Sequence, residues 1–185
     1  MSIHEIFSIP IYETKLELDT EKIESFCKEY QSTHDSAKKS NIGGYQSQDL
    51  QLNHPILQPL IKELEHHSST FRGNRQLISN MWFNVNEYKD SNAPHIHPFS
   101  IYSGVYYIES PENCGQIQFE HPATDLLMYW EKIASGASHA SSIYKYPAIK
   151  NTLYIFPSWL KHSVTPNNNQ EEKRISISFN TSNGV

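Results

Sequence analysis

The sequence predicts a mainly β protein, an antiparallel sandwich or barrel preceded by a helical lead-in. Three observations carry this reading. Several short segments after Gln76 alternate apolar and polar residues with period 2. The breaks between them are Pro-, Gly- or Asn-rich, such as Pro157-Ser158 and Pro166-Asn167-Asn168-Asn169. Helical periodicity, apart from one short later segment, is confined to the first 75 residues. A chain of 185 residues suits a single compact unit that buries its own core. We expect residues 1–75 to be the lead-in, packed on a β domain formed by residues 76–185.

The elements follow in order. Asp19 or Thr20 can cap a helix in which Ile23, Phe26, Cys27 and Tyr30 share one face. Asn53 can cap a second, with Pro55 in its first turn and Leu57, Leu60, Ile61 and Leu64 as its stripe. Ser32 to Gln51, with Gly43-Gly44, reads as a loop. Next, Met81, Phe83 and Val85 alternate with Trp82, Asn84 and Asn86, and Tyr88 continues the second set. Further strands are expected at Ser100–Glu109, Gln116–Glu120, Thr152–Phe156, Lys161–Thr165 and Arg174–Asn180. Leu126 to Ile133 suits a short helix, and Ala134 to Ser142 a small, polar insertion.

Composition excludes several classes. Hydrophobic residues at 37% and charged residues at 19%, with 12% aromatics, disfavour both a coiled coil and long disorder. A net charge of −5 argues against a nucleic-acid partner, whose phosphates need Lys and Arg. Two unpatterned cysteines, Cys27 and Cys114, make neither a disulfide framework nor a thiolate zinc site. No apolar run approaches the ~18 residues of a membrane helix. Met1 to Pro10 lacks a basic stretch followed by an apolar one, so a cytoplasmic location is expected. An exposed sheet edge makes a homodimer an expected arrangement.

Ten histidines are the compositional excess. In Pro94-His95-Ile96-His97-Pro98 the prolines favour extended backbone, so both imidazoles point to one side. Imidazole suits Fe, Zn, Cu and Ni, and two such ligands need a third from elsewhere in the fold. His162 supplies one, opening a strand after the turn at Pro157-Ser158. In Arg174-Ile175-Ser176-Ile177-Ser178-Phe179-Asn180 the isoleucines and Phe179 form one face, and Arg174, Ser176, Ser178 and Asn180 the other. An Arg beside a hydroxyl on a strand can fork a carboxylate. The other seven histidines (His4, His34, His54, His66, His67, His121 and His139) are assigned to surface, caps and loops.

In this order, from Met81 to Asn180, the motifs resemble the Fe(II)/2-oxoglutarate-dependent oxygenases, in particular a bacterial and viral branch with a His-x-His motif. The resemblance implies a double-stranded β-helix, a jelly-roll or cupin-like barrel with N-terminal supporting helices. It implies His95, His97 and His162 as metal ligands. It also implies Arg174, Ser176 and Tyr107 on the 2-oxoglutarate carboxylate and Asn86 and Tyr88 as further contacts to 2-oxoglutarate, and strand alternation sets Asn84 on the same inward polar, cofactor-binding wall. The cofactor would be Fe(II), with 2-oxoglutarate and O2 as cosubstrates, and the reaction hydroxylation of a small-molecule or peptidyl substrate. Trp82, Phe83 and Phe156 would exclude water, and the segments Ser32–Gln51 and Ala134–Ser142 would face the substrate as lids. Most relatives carry Asp or Glu where this chain has His97, so three neutral ligands would leave the metal at +2. Glu120 or Asp125 is the alternative source of a carboxylate ligand. Two other readings compete: a cupin-like three-histidine metalloenzyme without 2-oxoglutarate, which leaves Arg174 idle, and a non-catalytic jelly-roll binding module.

Overall fold

A strand turns successive side chains to opposite faces, and the final strand uses both faces fully. Ile175, Ile177 and Phe179 enter a core on one side, while Ser176 and Ser178 line a cavity on the other. The structure, a computed structural model, describes residues 8–133 and 141–184. The strands are β1 (Tyr12–Lys15), β2 (Asn41–Ile42), β3 (Tyr45–Gln46), β4 (Gln76–Asn86), β5 (Ser91–His95) and β6 (Tyr102–Glu109). They continue with β7 (Gln116–Glu120), β8 (Ile143–Pro147), β9 (Thr152–Pro157), β10 (His162–Val164) and β11 (Arg174–Asn183). The helices are α1 (Glu21–Thr33), α2 (Gln58–Arg72) and α3 (Thr124–Ile133).

All strand pairs are antiparallel, in two sheets ordered β1-β9-β6-β11-β4-β3 and β2-β5-β10-β7-β8. The chain crosses repeatedly from one sheet to the other: β4, β6, β9 and β11 lie in the first, β5, β7 and β10 in the second. This is the double-stranded β-helix. The central register sets Arg174 opposite Asn86, Ser176 opposite Asn84 and Ser178 opposite Trp82, with Tyr107 flanking Ser176 on the other side.

The outer face of the six-stranded sheet carries the larger core. Met81, Phe83, Val85, Tyr106, Ile108, Leu153, Ile155, Ile175, Ile177 and Phe179 pack there with Ile23 and Cys27 of α1 and Leu60, Ile61 and Leu64 of α2. Burying each large aliphatic side chain contributes roughly 1.5–3 kcal/mol. The inner core is smaller and lies between the sheets: Val105, Tyr107, Ile117, Phe119, Tyr154, Phe156 and Leu160. Phe83, expected beside the cavity, belongs instead to the outer core, because its neighbours Trp82 and Asn84 take the inward positions of β4.

The lead-in departs from expectation in detail. At α1, Asp19 rather than Thr20 supplies a side-chain acceptor, to the Glu21 N–H at 3.2 Å. At the second helix a 3₁₀ turn at Pro55–Leu57, entered from His54 rather than Asn53, precedes α2, and Pro59 falls in the first turn of α2. The segment Ser32–Gln51 contains two strands. β2 joins β5 of one sheet and β3 joins β4 of the other, so this segment links an edge of each sheet without its two strands pairing together. Its turn, Gly43-Gly44, has both residues at positive φ, the pattern of a type I′ turn. A side chain at Gly44 would press on the Val85 carbonyl at 2.9 Å. The expected insertion Ala134–Ser142 lies outside the described residues except for Ser141 and Ser142. No helix among the described residues is long and apolar enough to cross a membrane.

Because Ile177 is fully buried between the sheet and the helices, Ile177→Ala should cost about 2–5 kcal/mol of unfolding free energy. Urea unfolding with an unchanged m-value checks this.

Candidate metal centre

The ends of two neighbouring inner strands of the five-stranded sheet bring the three histidines together. His95 ends β5 and His162 begins β10, and the two are cross-strand partners. His97 lies two residues beyond His95, held by its own N–H donating to the Ser158 carbonyl at 2.9 Å. The ring centroids lie 4.3 to 5.0 Å apart, and one nitrogen from each ring lies within 4.8 Å of the others.

Two of the tautomers follow from the partners. The Nδ1 of His95 lies 2.7 Å from the Ala93 carbonyl, and that of His162 2.8 Å from the Leu160 carbonyl. A carbonyl only accepts, so each Nδ1 bears the proton and each Nε2 keeps a lone pair. The Nε2 atoms of His97 and His162 are 3.2 Å apart, so His97 donates its proton to His162 when no ion intervenes. Burial depresses all three pKa values. His162 falls to about 3, through burial and then His95. His97 falls to about 4 for the same reasons, and His95 is lowered by burial and partly restored by its bond to Ala93. All three are therefore neutral near pH 7, the state in which imidazole ligates.

From these rings a cavity runs between the sheets, walled by Trp82, Phe156 and Val105 near the histidines and by Asn84, Asn86, Tyr107 and Ser176 further in. Trp82 and Phe156 take the apolar roles expected of them; Trp82 lies 5.5 Å from the His97 ring and Phe156 4.6 Å from that of His162. Among the described residues no Asp, Glu or Lys lines this cavity. Glu120 points away, paired with Lys161 at 2.9 Å, and Asp125 is exposed on α3, so neither joins the histidines.

Behind the wall residues Asn86, its cross-strand partner, and Tyr107, on which its charge acts, lies a buried cation. Arg174 is 1% exposed. Its Nη1 donates to the Cys114 carbonyl and to that of Thr165 at 3.2 Å, but Nη2 has no partner. No carboxylate among the described residues forms an ion pair with it. The neighbouring Tyr107 hydroxyl is also buried and unpartnered; burial raises its pKa, opposed by the Arg174 charge. The Asn84 Oδ1 and Asn86 Nδ2 are likewise buried without partners. A buried donor without an acceptor costs about 1–3 kcal/mol, and more when charged, so this end of the cavity suits an anion.

Tyr88 does not belong here. β4 ends at Asn86, and the turn through Lys89, at φ 70°, carries Tyr88 to the surface, where Lys89 lies over its ring at 4.7 Å. The sequence reading missed Ser40 and Asn92, which also line the cavity. Asn92 reaches Ser40 at 3.3 Å across the contact of β5 with β2, a long-range pairing without a local signal. The remaining described histidines have structural neighbours: His67 bonds Tyr12, His66 lies edge-on to His67, His34 stacks on Tyr30, His54 packs on Phe26 and His121 accepts the Ala123 N–H.

Comparison with known proteins agrees with this geometry. Residues 80–180 match the model of a family described as "Putative 2OG-Fe(II) oxygenase". No curated protein matches the sequence. Among solved structures, a Pseudomonas putida prolyl-4-hydroxylase is 12% identical, with 96% of this chain and 95% of that one covered at a TM-score of 0.67. The non-heme alpha-ketoglutarate-dependent epimerase SnoN of nogalamycin biosynthesis is 14% identical over 95% of this chain and 78% of its own, at 0.72. HygX from Streptomyces hygroscopicus, crystallised with nickel and 2-oxoglutarate, is 10% identical over 96% and 84%, at 0.63.

The histidine pKa values predict an acid sensitivity of the metal-free protein. Folded values lie below the unfolded value of about 6.5, so the unfolded state binds more protons in that window. The stability they carry is full above pH 6.5 and is lost as pH falls toward 4. Thermal melts in chelator across this range should show the fall, and His162→Gln should flatten it.

Proposed function

Because the chain belongs to the 2OG-Fe(II) oxygenase family, an enzyme family that uses Fe(II), 2-oxoglutarate and O2, we propose that His95, His97 and His162 hold the metal and that Arg174, Tyr107 and Ser176 hold the far carboxylate of 2-oxoglutarate. The observation that carries the assignment is the pair of buried, unpartnered groups, Arg174 Nη2 and the Tyr107 hydroxyl, in a fold whose cavity ends on three convergent imidazoles. Without 2-oxoglutarate, as in a three-histidine enzyme of another kind, Arg174 would still tie the Cys114 and Thr165 carbonyls together, but its Nη2 would be left without a partner.

When bound, ferrous ion and 2-oxoglutarate supply O2 activation coupled to oxidative decarboxylation to succinate and CO2. The chain's own residues do the rest. The backbone carbonyls of Ala93 and Leu160 orient two rings so that their Nε2 lone pairs face the metal position. His97 would hold the metal as a third neutral imidazole, with its proton on Nδ1. Arg174 Nη2, the Tyr107 hydroxyl and Ser176 would hold the distal carboxylate, with Asn84 and Asn86 in the polar wall beside them. Trp82, Phe119 and Phe156 keep water from the rings. We propose hydroxylation of a small-molecule or peptidyl substrate that approaches past the β2–β3 segment, whose Ser40 reaches the cavity.

Protein loaded with Fe(II) under O2 should convert 2-oxoglutarate to succinate, and chelation should abolish it. Loss of both succinate formation and calorimetric 2-oxoglutarate binding overturns the reading. Mn(II) should raise the melting temperature by mass action, and His95→Ala or His162→Ala should remove the rise. Arg174→Gln should weaken 2-oxoglutarate binding by roughly 30-fold or more, the scale of a buried charge pair.

A further inference from the structure

The charge inventory of the cavity points to a property beyond the ligand assignment, although it rests on that assignment. At one end three neutral imidazoles offer lone pairs and no negative charge. Behind Asn86 and Tyr107 at the other, Arg174 carries a buried positive charge that Asp90 influences without forming an ion pair with it. Between them stand amides, hydroxyls and apolar side chains, and no described Asp or Glu lines the space. A divalent metal would enter with both its charges uncompensated by its ligands, and with Arg174 as a second cation behind the far wall. Buried charge is costly unless it is paired, and like charges across a poorly hydrated space repel. A dicarboxylate spanning the two ends brings one negative charge to each, pairing Arg174 and halving the charge at the metal.

We infer that this protein binds metal and 2-oxoglutarate interdependently, with His97 as the residue that makes metal retention conditional on the dicarboxylate. A carboxylate at position 97 would hold the dication by itself; an imidazole leaves that charge to the cosubstrate. Coupling between binding sites is reciprocal, so each ligand tightens the other by one factor. Loss of 2-oxoglutarate then releases the metal, and the protein loads and unloads iron with the supply of its cosubstrate.

Calorimetric titration of Mn(II) into full-length protein, with and without saturating 2-oxoglutarate, tests this without turnover. In the wild type, 2-oxoglutarate should tighten Mn(II) at least tenfold, within the 5–150-fold span of typical couplings. In His97→Asp, Mn(II) alone should bind at least tenfold more tightly than in the wild type, and the gain from 2-oxoglutarate should fall below about threefold. His97→Asn, which has the shape of Asp without its charge, should retain most of the wild-type gain, separating charge from geometry. Far-UV circular dichroism and a cooperative melt establish that each variant is folded. A wild-type affinity that 2-oxoglutarate leaves unchanged, or an undiminished gain in His97→Asp, overturns the inference while the proposed function stands. Absence of Mn(II) binding in the wild type under both conditions overturns the proposed function as well.

Discussion

The structure depends on one constraint: the period-2 alternation of β4 and β11, two adjacent strands whose outward positions are apolar and whose inward positions are mostly polar. The apolar face binds the helices and carries most of the buried hydrocarbon. That leaves the inner face free of the duty to supply a continuous hydrophobic core, so it can present Asn84, Asn86, Tyr107 and Ser176 to an enclosed space, with a guanidinium behind them. A slip of one residue in the β11 register would move Ile175 and Ile177 into the cavity and Arg174 and Ser176 under the helices. Stability and site are thus two readings of the same register.

The alternation is also why so much was legible in the sequence. Arg-Ile-Ser-Ile-Ser-Phe states both faces of β11 without reference to any partner, and His-x-His states that two rings share a side. The spacing from Pro157-Ser158 to His162 showed a turn feeding a strand. What the sequence did not display were features made by distant pairing or by local strand ends. Tyr88 continued the pattern on paper, but the strand stops two residues earlier and a positive-φ turn swings it outward. Phe83 was read by its aromatic character rather than by its parity. The segment between Ser32 and Gln51 has strands of two residues, too short for periodicity, which exist because each finds a partner in a different sheet.

His97 is where local chemistry and the family pattern part. Its ring stands where the geometry asks for a ligand, facing His162 and stacked near Trp82, so the position is kept while the charge is changed. No acid among the described residues that line the cavity restores that charge. The consequence is electrostatic, and it extends along the cavity to Arg174, since both ends now call for negative charge from the same guest.

The supports of His95 and His162 are alike: each ring leans its Nδ1–H on the carbonyl two residues upstream in its own chain. Many metal sites use an aspartate or glutamate for this task, which adds charge and can itself be protonated or exchanged. Here the brace is peptide backbone, which neither titrates nor changes when side chains are substituted. Evolution can therefore vary the residues between and around these histidines freely, so long as the backbone keeps its path, and the orientation of the two rings is inherited from the fold itself.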